Sequence, residues 1–323
     1  MPLGLARVTL VTSGFCEPAN REPANPRSSS PEVASPHRRC HHETGMLFTQ
    51  RRPAPPLDRW IDAIWLCRSE PRPRALERVL PSGASQLILN LAEDETRLYS
   101  DSGNGVVCER SPGSVLTGMS TRFHVIDTDE QAYVAGVVFR AGGMVPFVTP
   151  PAHELSDAEV PLEFLWGQQP VRRVRDQLLS AGTPDAALDT LEATLRQMWR
   201  EKAAHPAVQY ALSSFRAHPS VARVRDVTDQ IALSPKRFIE RFKADVGVTP
   251  KRYCRILRFQ RVVTRAHQCG PIDWTDLALD CGYFDQAHLI HEFREFSGLT
   301  PTGYEAQRTT FQNHVTFLQS AGG

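Results

Sequence analysis

Residues 234–253 read SPKRFIERFKADVGVTPKRY, and residues 285–304 read DQAHLIHEFREFSGLTPTGY. Laid over each other at an offset of 51, they pair Phe238 with Leu289, Ile239 with Ile290, Phe242 with Phe293, Gly247 with Gly298, Thr249 with Thr300, Pro250 with Pro301 and Tyr253 with Tyr304. A repeat of this period signals two copies of one supersecondary unit.

Local chemistry defines the unit. Ser234 and Asp285 are helix N-caps, and Pro235 suits the first helical position, where its missing N–H costs nothing. The apolar positions 238, 239 and 242, and 289, 290 and 293, predict one inward stripe per helix. Gly247 and Gly298 follow as terminators, and Thr249-Pro250 and Thr300-Pro301 open the next helix. The preceding segments also match, at an offset of 50: Val227 with Leu277, Thr228 with Ala278, Ala232 with Gly282, Leu233 with Tyr283. The second turn is therefore one residue longer. Helix, tight turn, helix is the helix-turn-helix, whose second helix can enter the DNA major groove.

With the stripe inward, the outward residues of the first such helix are Lys236, Arg237, Glu240, Arg241 and Lys243. Those of the second are Gln286, Ala287, His288, His291 and Arg294. Lys and Arg suit guanine O6/N7 or phosphate, Glu suits cytosine N4, Gln suits adenine, and Ala suits a thymine methyl. A charged outer face on a single helix would more simply be a solvated one. Two copies with matching caps favour the DNA reading.

The stretch DCGYFDQAHLIHEFREFSGLTP, residues 280–301, resembles the second helix-turn-helix signature of the AraC/XylS family of bacterial transcription regulators. Residues 227–253 resemble its first unit more loosely, and the resemblance covers about 206–308. It implies a monomeric unit reading two successive major grooves, with base contacts at the positions of Lys236, Arg237, Glu240, Gln286, Ala287, His288 and His291. Two positions depart from the family pattern: Ala232 stands where a turn glycine is common, and Glu240 places a carboxylate near phosphate.

Residues 251–267 predict a spacer helix, ended by Cys269-Gly270-Pro271, which sets the distance between the units. Residues 221–268 carry twelve bases against four acids, a net +8, whereas 269–308 carry two against seven, a net −5. Phosphate attraction is therefore expected mainly from the first unit and the spacer.

At 323 residues and 41% hydrophobic content the chain can hold two domains. No apolar run of about 18 residues exists, which argues against a membrane helix and for a cytoplasmic protein. The seven cysteines form no CxxC pair or even framework, as suits a reducing compartment. His37, Cys40, His41 and His42 lack regular metal-ligand spacing, so no metal and no cofactor are expected. Residues 1–45, rich in proline and serine, read as a disordered extension, with Met46 as a candidate start. Residues 46–203 read as a regulatory domain, 204–308 as the DNA-binding domain and 309–323 as a tail.

The expected fold class is α+β in two domains. The C-terminal domain is all-α, and the N-terminal one is a β-barrel or sandwich with flanking helices. Residues 60–66 suit a short helix; 86–91, 115–116, 123–126 and 133–139 suit strands; 185–200 suits an amphipathic helix through Leu188, Leu191, Leu195 and Met198. Residues 78–83 and 141–155 resemble the barrel-like amino-terminal domains of some family members.

Three roles compete for this domain. As a sensor it would use Trp60, Trp65, Arg78, Arg140 and His153 to hold a small-molecule effector, although each alone suits a core or surface role as well. As a homodimer module it would use the 185–200 helix, whose leucines equally suit an ordinary core. An enzyme is not expected, since nucleophile-elbow, P-loop, dinucleotide and HExxH patterns are absent from the sequence. The expected partners are double-stranded DNA, with RNA polymerase, a small-molecule effector and a second copy as further candidates, and no membrane. An architectural DNA binder without an effector, or an enzyme tethered to DNA, are the alternatives.

Overall fold

The computed structural model describes residues 38–42, 46–70, 75–101, 106–202, 204–217, 224–231, 233–268 and 272–317. The β domain contains strands β1 (Arg38–His42), β2 (Met46–Arg51), β3 (Ile61–Ser69), β4 (Leu76–Val79), β5 (Gln86–Asn90), β6 (Glu95–Asp101), β7 (Val106–Pro112), β8 (Ser114–Thr117), β9 (His124–Asp127), β10 (Tyr133–Phe139) and β11 (Glu159–Pro161). They are followed by helices α1 (Leu162–Trp166), α2 (Gln168–Leu179) and α3 (Pro184–Met198). The C-terminal region comprises α4 (Pro206–Ala217), α5 (Val224–Thr228), α6 (Pro235–Val246), α7 (Pro250–Gln268), α8 (Trp274–Asp280), α9 (Gln286–Ser297) and α10 (Pro301–Gln307), and closes with strand β12 (His314–Thr316). Among the described residues, no helix is long and apolar enough to cross a membrane.

Two antiparallel sheets face each other, ordered β1-β2-β3-β10-β5-β8-β11 and β12-β4-β9-β6-β7. Alternation along the central strands sorts side chains between two cores. Ile64, Leu66, Leu87, Leu89, Ala135, Val137 and Phe139 point toward α2 and α3, against Val171, Val174, Leu178, Leu188, Leu191 and Leu195. Trp65, Cys67, Val134 and Val138 point the other way, where they meet Met46, Phe48 and Phe311.

This arrangement corrects several readings. Residues 60–66 are not a helix: Ile61–Ser69 is a strand paired with both β2 and β10. A strand covered on both faces is apolar at nearly every position, so the period-2 signal that separates strand from helix is lost. Leu188, Leu191 and Leu195 are buried within their own chain, so the α3 stripe is core and not a dimer seam. Arg38–His42, inside the stretch read as disordered, pairs with β2, whose edge otherwise presents unpaired N–H and C=O groups. The rest of 1–45, Ala232 and 269–271 lie outside the described residues.

The segment read as a tail also has a partner. Strand β12 pairs with β4, Leu80 N donates to Asn313 O at 2.9 Å, and His314 Nδ1 lies 2.9 Å from Glu77 Oε2 in a buried pair. Residues His314–Thr316 are thus an edge strand of the five-stranded sheet of the β domain. The C-terminal helices share one continuous core with Leu80, Met119 and Ala141 of the β domain.

Candidate nucleic-acid interface

Each predicted cap of the repeat forms. Ser234 accepts from Arg237 N and Asp285 from His288 N, while Thr249 and Thr300 accept from Arg252 N and Gly303 N. Gly247 (φ 103°) and Gly298 (φ 70°) end α6 and α9 in the left-handed region, where a Cβ is penalised. Phe238 and Phe242 are buried around Tyr253 and Phe215, and Leu289, Phe293 and Phe296 around Phe259, Trp274 and Tyr304. The stripe differs at its second position: Ile290, predicted inward, is half-buried, and Ile239, predicted inward, is 38% exposed. It stands one residue round from Phe238, about 100° along a 3.6-residue turn, and so reaches the rim.

Of the residues expected to face DNA, Lys236, Arg237 and Glu240 on α6 and Gln286, Ala287, His288, His291 and Arg294 on α9 are exposed. Arg241 and Lys243 are half-buried, and Arg241 Nε donates to Asp245 Oδ2 at 3.2 Å, which turns its guanidinium inward. His288 Nδ1 accepts from Phe284 N at 3.4 Å, which assigns the neutral ring's proton to Nε2 and makes Nε2 a donor. The two helices flank a groove of about 920 Å³, whose lining includes Ile239 on one side, His288 and His291 on the other, and Lys251, Cys254, Arg255 and Arg258 of α7 beneath.

The floor of that groove is electrostatically closed. Arg255 Nε donates to Glu292 Oε2 at 2.7 Å, Arg258 Nη2 to the same oxygen at 2.9 Å, and Tyr283 Oη to Glu292 Oε1 at 2.9 Å. Glu295 pairs with Arg252 and Arg255. Burial pushes the Glu292 carboxyl up, but Arg258 and Arg255, with Tyr283, outweigh it and hold the carboxyl below its usual range. Arg255 holds Glu295 down to about 2, against the upward push of burial and with help from Arg252. The expectation that the spacer supplies phosphate attraction fails for these three arginines: they are bound to the acids of the second unit. Lys236 and Arg237 of α6 keep their charge toward solvent.

The five expected effector residues do not converge. Trp65 is buried between the sheets. Arg78 donates to Gln307 Oε1 and Thr316 O and lies over the Phe123 and Phe317 rings. His153 is exposed. Trp60 and Arg140 do share a cleft of about 190 Å³ between the domains, but Arg140 is tied to Asp62 at 3.0 Å and to Asp58 O. Trp60, Trp65, Arg78 and Arg140 are used in packing or in domain contact, and spacing along the chain carries no sign of that.

A different set lines a cavity of about 70 Å³ between the two sheets. Its wall is apolar at Val79, Ile88, Val115 and Ile126, and polar at Thr96, His124, Glu130 and Glu159. Thr96 Oγ1 donates to Glu159 Oε1 at 2.6 Å, and Arg97 N to Glu130 Oε2 at 3.0 Å. Glu130 Oε1 is buried without a hydrogen bond. Burial pushes Glu130 up to about 8, raises Glu159, and pushes His124 down to about 4, with His314 adding to the last. At neutral pH Glu130 is therefore mostly a carboxylic acid and His124 a neutral ring. Nothing in the sequence marks these residues, because their burial arises from strands far apart in the chain.

A helix-turn-helix domain family matches residues 227–307, and a domain of unknown function (DUF6597) matches residues 49–161. No curated protein matches the chain. Among solved structures, an apo ToxT variant from Vibrio cholerae is similar at 9% identity, with a TM-score of 0.42, over 83% of this chain and 99% of that one. ToxT bound to an unsaturated fatty acid is similar at 10% identity and a TM-score of 0.38, over 72% and 94%. The xylose-binding transcription activator XylR is similar at 16% identity and 0.28, over 39% of each. The matched domain coincides with the repeated unit whose caps, cores and terminators are in place, and residues 227–307 form a helix-turn-helix domain of the AraC type.

Proposed function

We propose that this cytoplasmic regulator reads two successive major grooves, with α6 in one and α9 in the next. The observation that carries the proposal is the placement of two capped helices on either side of one groove, each with its polar N-terminal face exposed. Lys236 and Arg237 supply phosphate or guanine contacts, Glu240 a cytosine contact, Gln286 an adenine contact and Ala287 a thymine-methyl contact. His288 and His291 complete the second face, Arg294 and Lys243 meet backbone phosphate, and Arg241 orients α6 through Asp245. Site selection from random duplexes tests this: two base blocks about one helical turn apart are expected, and a single block rules the two-groove reading out.

We further propose that the cavity between the sheets holds a small effector of a few heavy atoms. Its polar end, toward Glu130, Glu159 and Thr96, would carry a neutral group that both accepts and donates, such as a hydroxyl, since the protonated Glu130 accepts from Arg97 N at Oε2 and can donate from Oε1, and its other end would be apolar. The cavity lining includes Gly118, Ser120 and His124, from the segment that touches the DNA-binding region. A thermal-shift panel of small amines, alcohols and carboxylates at pH 7 tests the class: stabilisation by carboxylates alone would contradict it.

A further inference from the structure

Both recognition helices end against the same region of the β domain. At the end of α6, Ser156 Oγ donates to Gly247 O at 2.8 Å, and a Cβ on Gly247 would lie 2.6 Å from Ser156 Oγ and 3.3 Å from Ala152 O. At the end of α9, Phe123 N donates to Phe296 O at 2.9 Å, and a Cβ on Gly298 would lie 2.5 Å from Phe123 Cε1. Between them, Arg252 at the start of α7 donates to Thr121 O at 2.7 Å and lies over the Phe296 ring at 4.6 Å.

The two loops that make these contacts, 118–123 and 152–158, are tied into one body. Thr121 N and Oγ1 donate to the two carboxylate oxygens of Asp157, each at 2.6 Å; Asp157 N donates to Met119 O and Gly118 N to Ala158 O. Asp157 takes φ 55°, a costly conformation for a non-glycine residue, and Thr121 holds it there. The result is a single buttress that touches the left-handed terminator region of both recognition helices and leaves their N-terminal faces free.

We infer that this buttress sets the position of α6 relative to α9, so that the half-site separation the protein prefers depends on Phe123, Thr121 and Ser156, none of which lies on a DNA-facing helix. Helix α7 sets the distance between the units along its own axis. The ion pairs of Arg252, Arg255 and Arg258 hold the second unit to α7, and the contacts at both helix ends tie the first unit and the second to one frame. A sub-ångström shift at a recognition helix moves several side chains against base edges together, so small displacements there change site choice. Phe123, Thr121 and Ser156 are accordingly positioning residues. The inference rests on the two-groove reading above.

The test uses the full chain and a duplex library in which the two selected half-sites are set at a series of separations. The unsubstituted protein is expected to favour one separation. A Phe123→Ala, Ser156→Ala double variant is expected to lose about fivefold or more of that preference, the scale of a typical coupling between two sites, while its affinity for an isolated half-site stays unchanged. Phe123→Tyr with Ser156→Thr should restore the preference. If the double variant unfolds cooperatively and keeps the preference within about a factor of two, a change below any typical coupling, the buttress has no positioning role. Should the double variant fail to fold, the same readout is taken on Thr121→Ala, which removes only the hydroxyl tie to Asp157, with the same two outcomes. A protein that shows no preferred separation before any substitution defeats the two-groove reading and this inference with it.

Discussion

Glu292, on α9, lies 2.9 Å from Arg258 of the spacer helix and is 1% exposed. Arg258 in turn stacks over the Tyr283 ring at 4.7 Å, and Tyr283 Oη donates to the same carboxylate. Three of the twelve bases of 221–268 and two of the seven acids of 269–308 therefore meet in a single internal ion-pair network that joins the spacer to the second unit. Glu292 has Arg241 as its counterpart in the first unit, at the offset of 51. Glu295 has Ala244 as its counterpart, so the repeat has diverged at both acids that lock the second unit to the spacer.

Removing one partner from that network should be costly, because two arginines would be left facing a neutral side chain. Glu292→Gln is expected to lower stability by about 3–5 kcal/mol, the usual penalty for breaking a buried pair. Chemical denaturation of the full chain measures it. A loss below about 1 kcal/mol would mean that water already screens the cluster, as it does at exposed pairs.

Salt dependence should follow the free cations and ignore the paired ones. Replacing Lys236 and Arg237 together by Ala is expected to reduce the slope of log affinity against log salt by about two, since each phosphate neutralised by a cation adds about one to that slope. Arg258→Met should lower stability yet leave the slope unchanged. An equal change in slope from both would show that the spacer also grips the backbone.

Acid should loosen the second unit. Glu295 titrates at about 2 in the fold against 4.5 for the ordinary group, so the unfolded chain binds its proton first as pH falls. The contribution of this group is complete above about pH 4.5 and disappears as pH drops toward 2. Glu292, also held low, adds in the same direction. Thermal melts between pH 7 and 3 should show falling stability, and Glu295→Gln should flatten some of that fall.

Glu130 should act with the opposite sign. Its folded value of about 8 against 4.5 means that the fold keeps the proton the unfolded chain releases. Its contribution is complete below about pH 4.5 and is lost as pH rises through 8. Glu130→Gln should therefore melt above the parent at pH 9 and close to it at pH 5. A parallel pair of curves would place Glu130 in contact with water.

Gly298→Ala meets two obstacles: a left-handed backbone, costing about 1–2 kcal/mol for any residue with a Cβ, and the Phe123 ring. A fall in melting temperature of several degrees is expected. At Gly182 nothing lies within 4 Å of the place a Cβ would take, and its φ is not left-handed, so Gly182→Ala serves as the neutral control.

What can be read from the chain alone follows from how local each signal is. Ser234, Asp285, Gly247, Gly298 and the Thr-Pro pairs act on backbone groups within four residues, so the caps and ends of α6 and α9 are legible without any fold. The strand at 133–139 is legible as a β-rich apolar run between turns. The strand at 61–69 imitates a helix in the sequence, since burial on both faces erases its periodicity. Strand β12 leaves no such trace, because its partner, β4, lies more than 200 residues away and three residues carry no pattern of their own.

The sequence by itself determined that two capped helix-turn-helix units exist and most of the side chains that face outward, because a helix's period and its end groups are set within a few residues. Only the tertiary structure decided which charges remain for DNA, which acids line a cavity, and that one pair of loops buttresses both recognition helices. Those are relations between residues distant along the chain, and distance in space, which governs Coulomb energy, desolvation and packing, is not written in spacing along it.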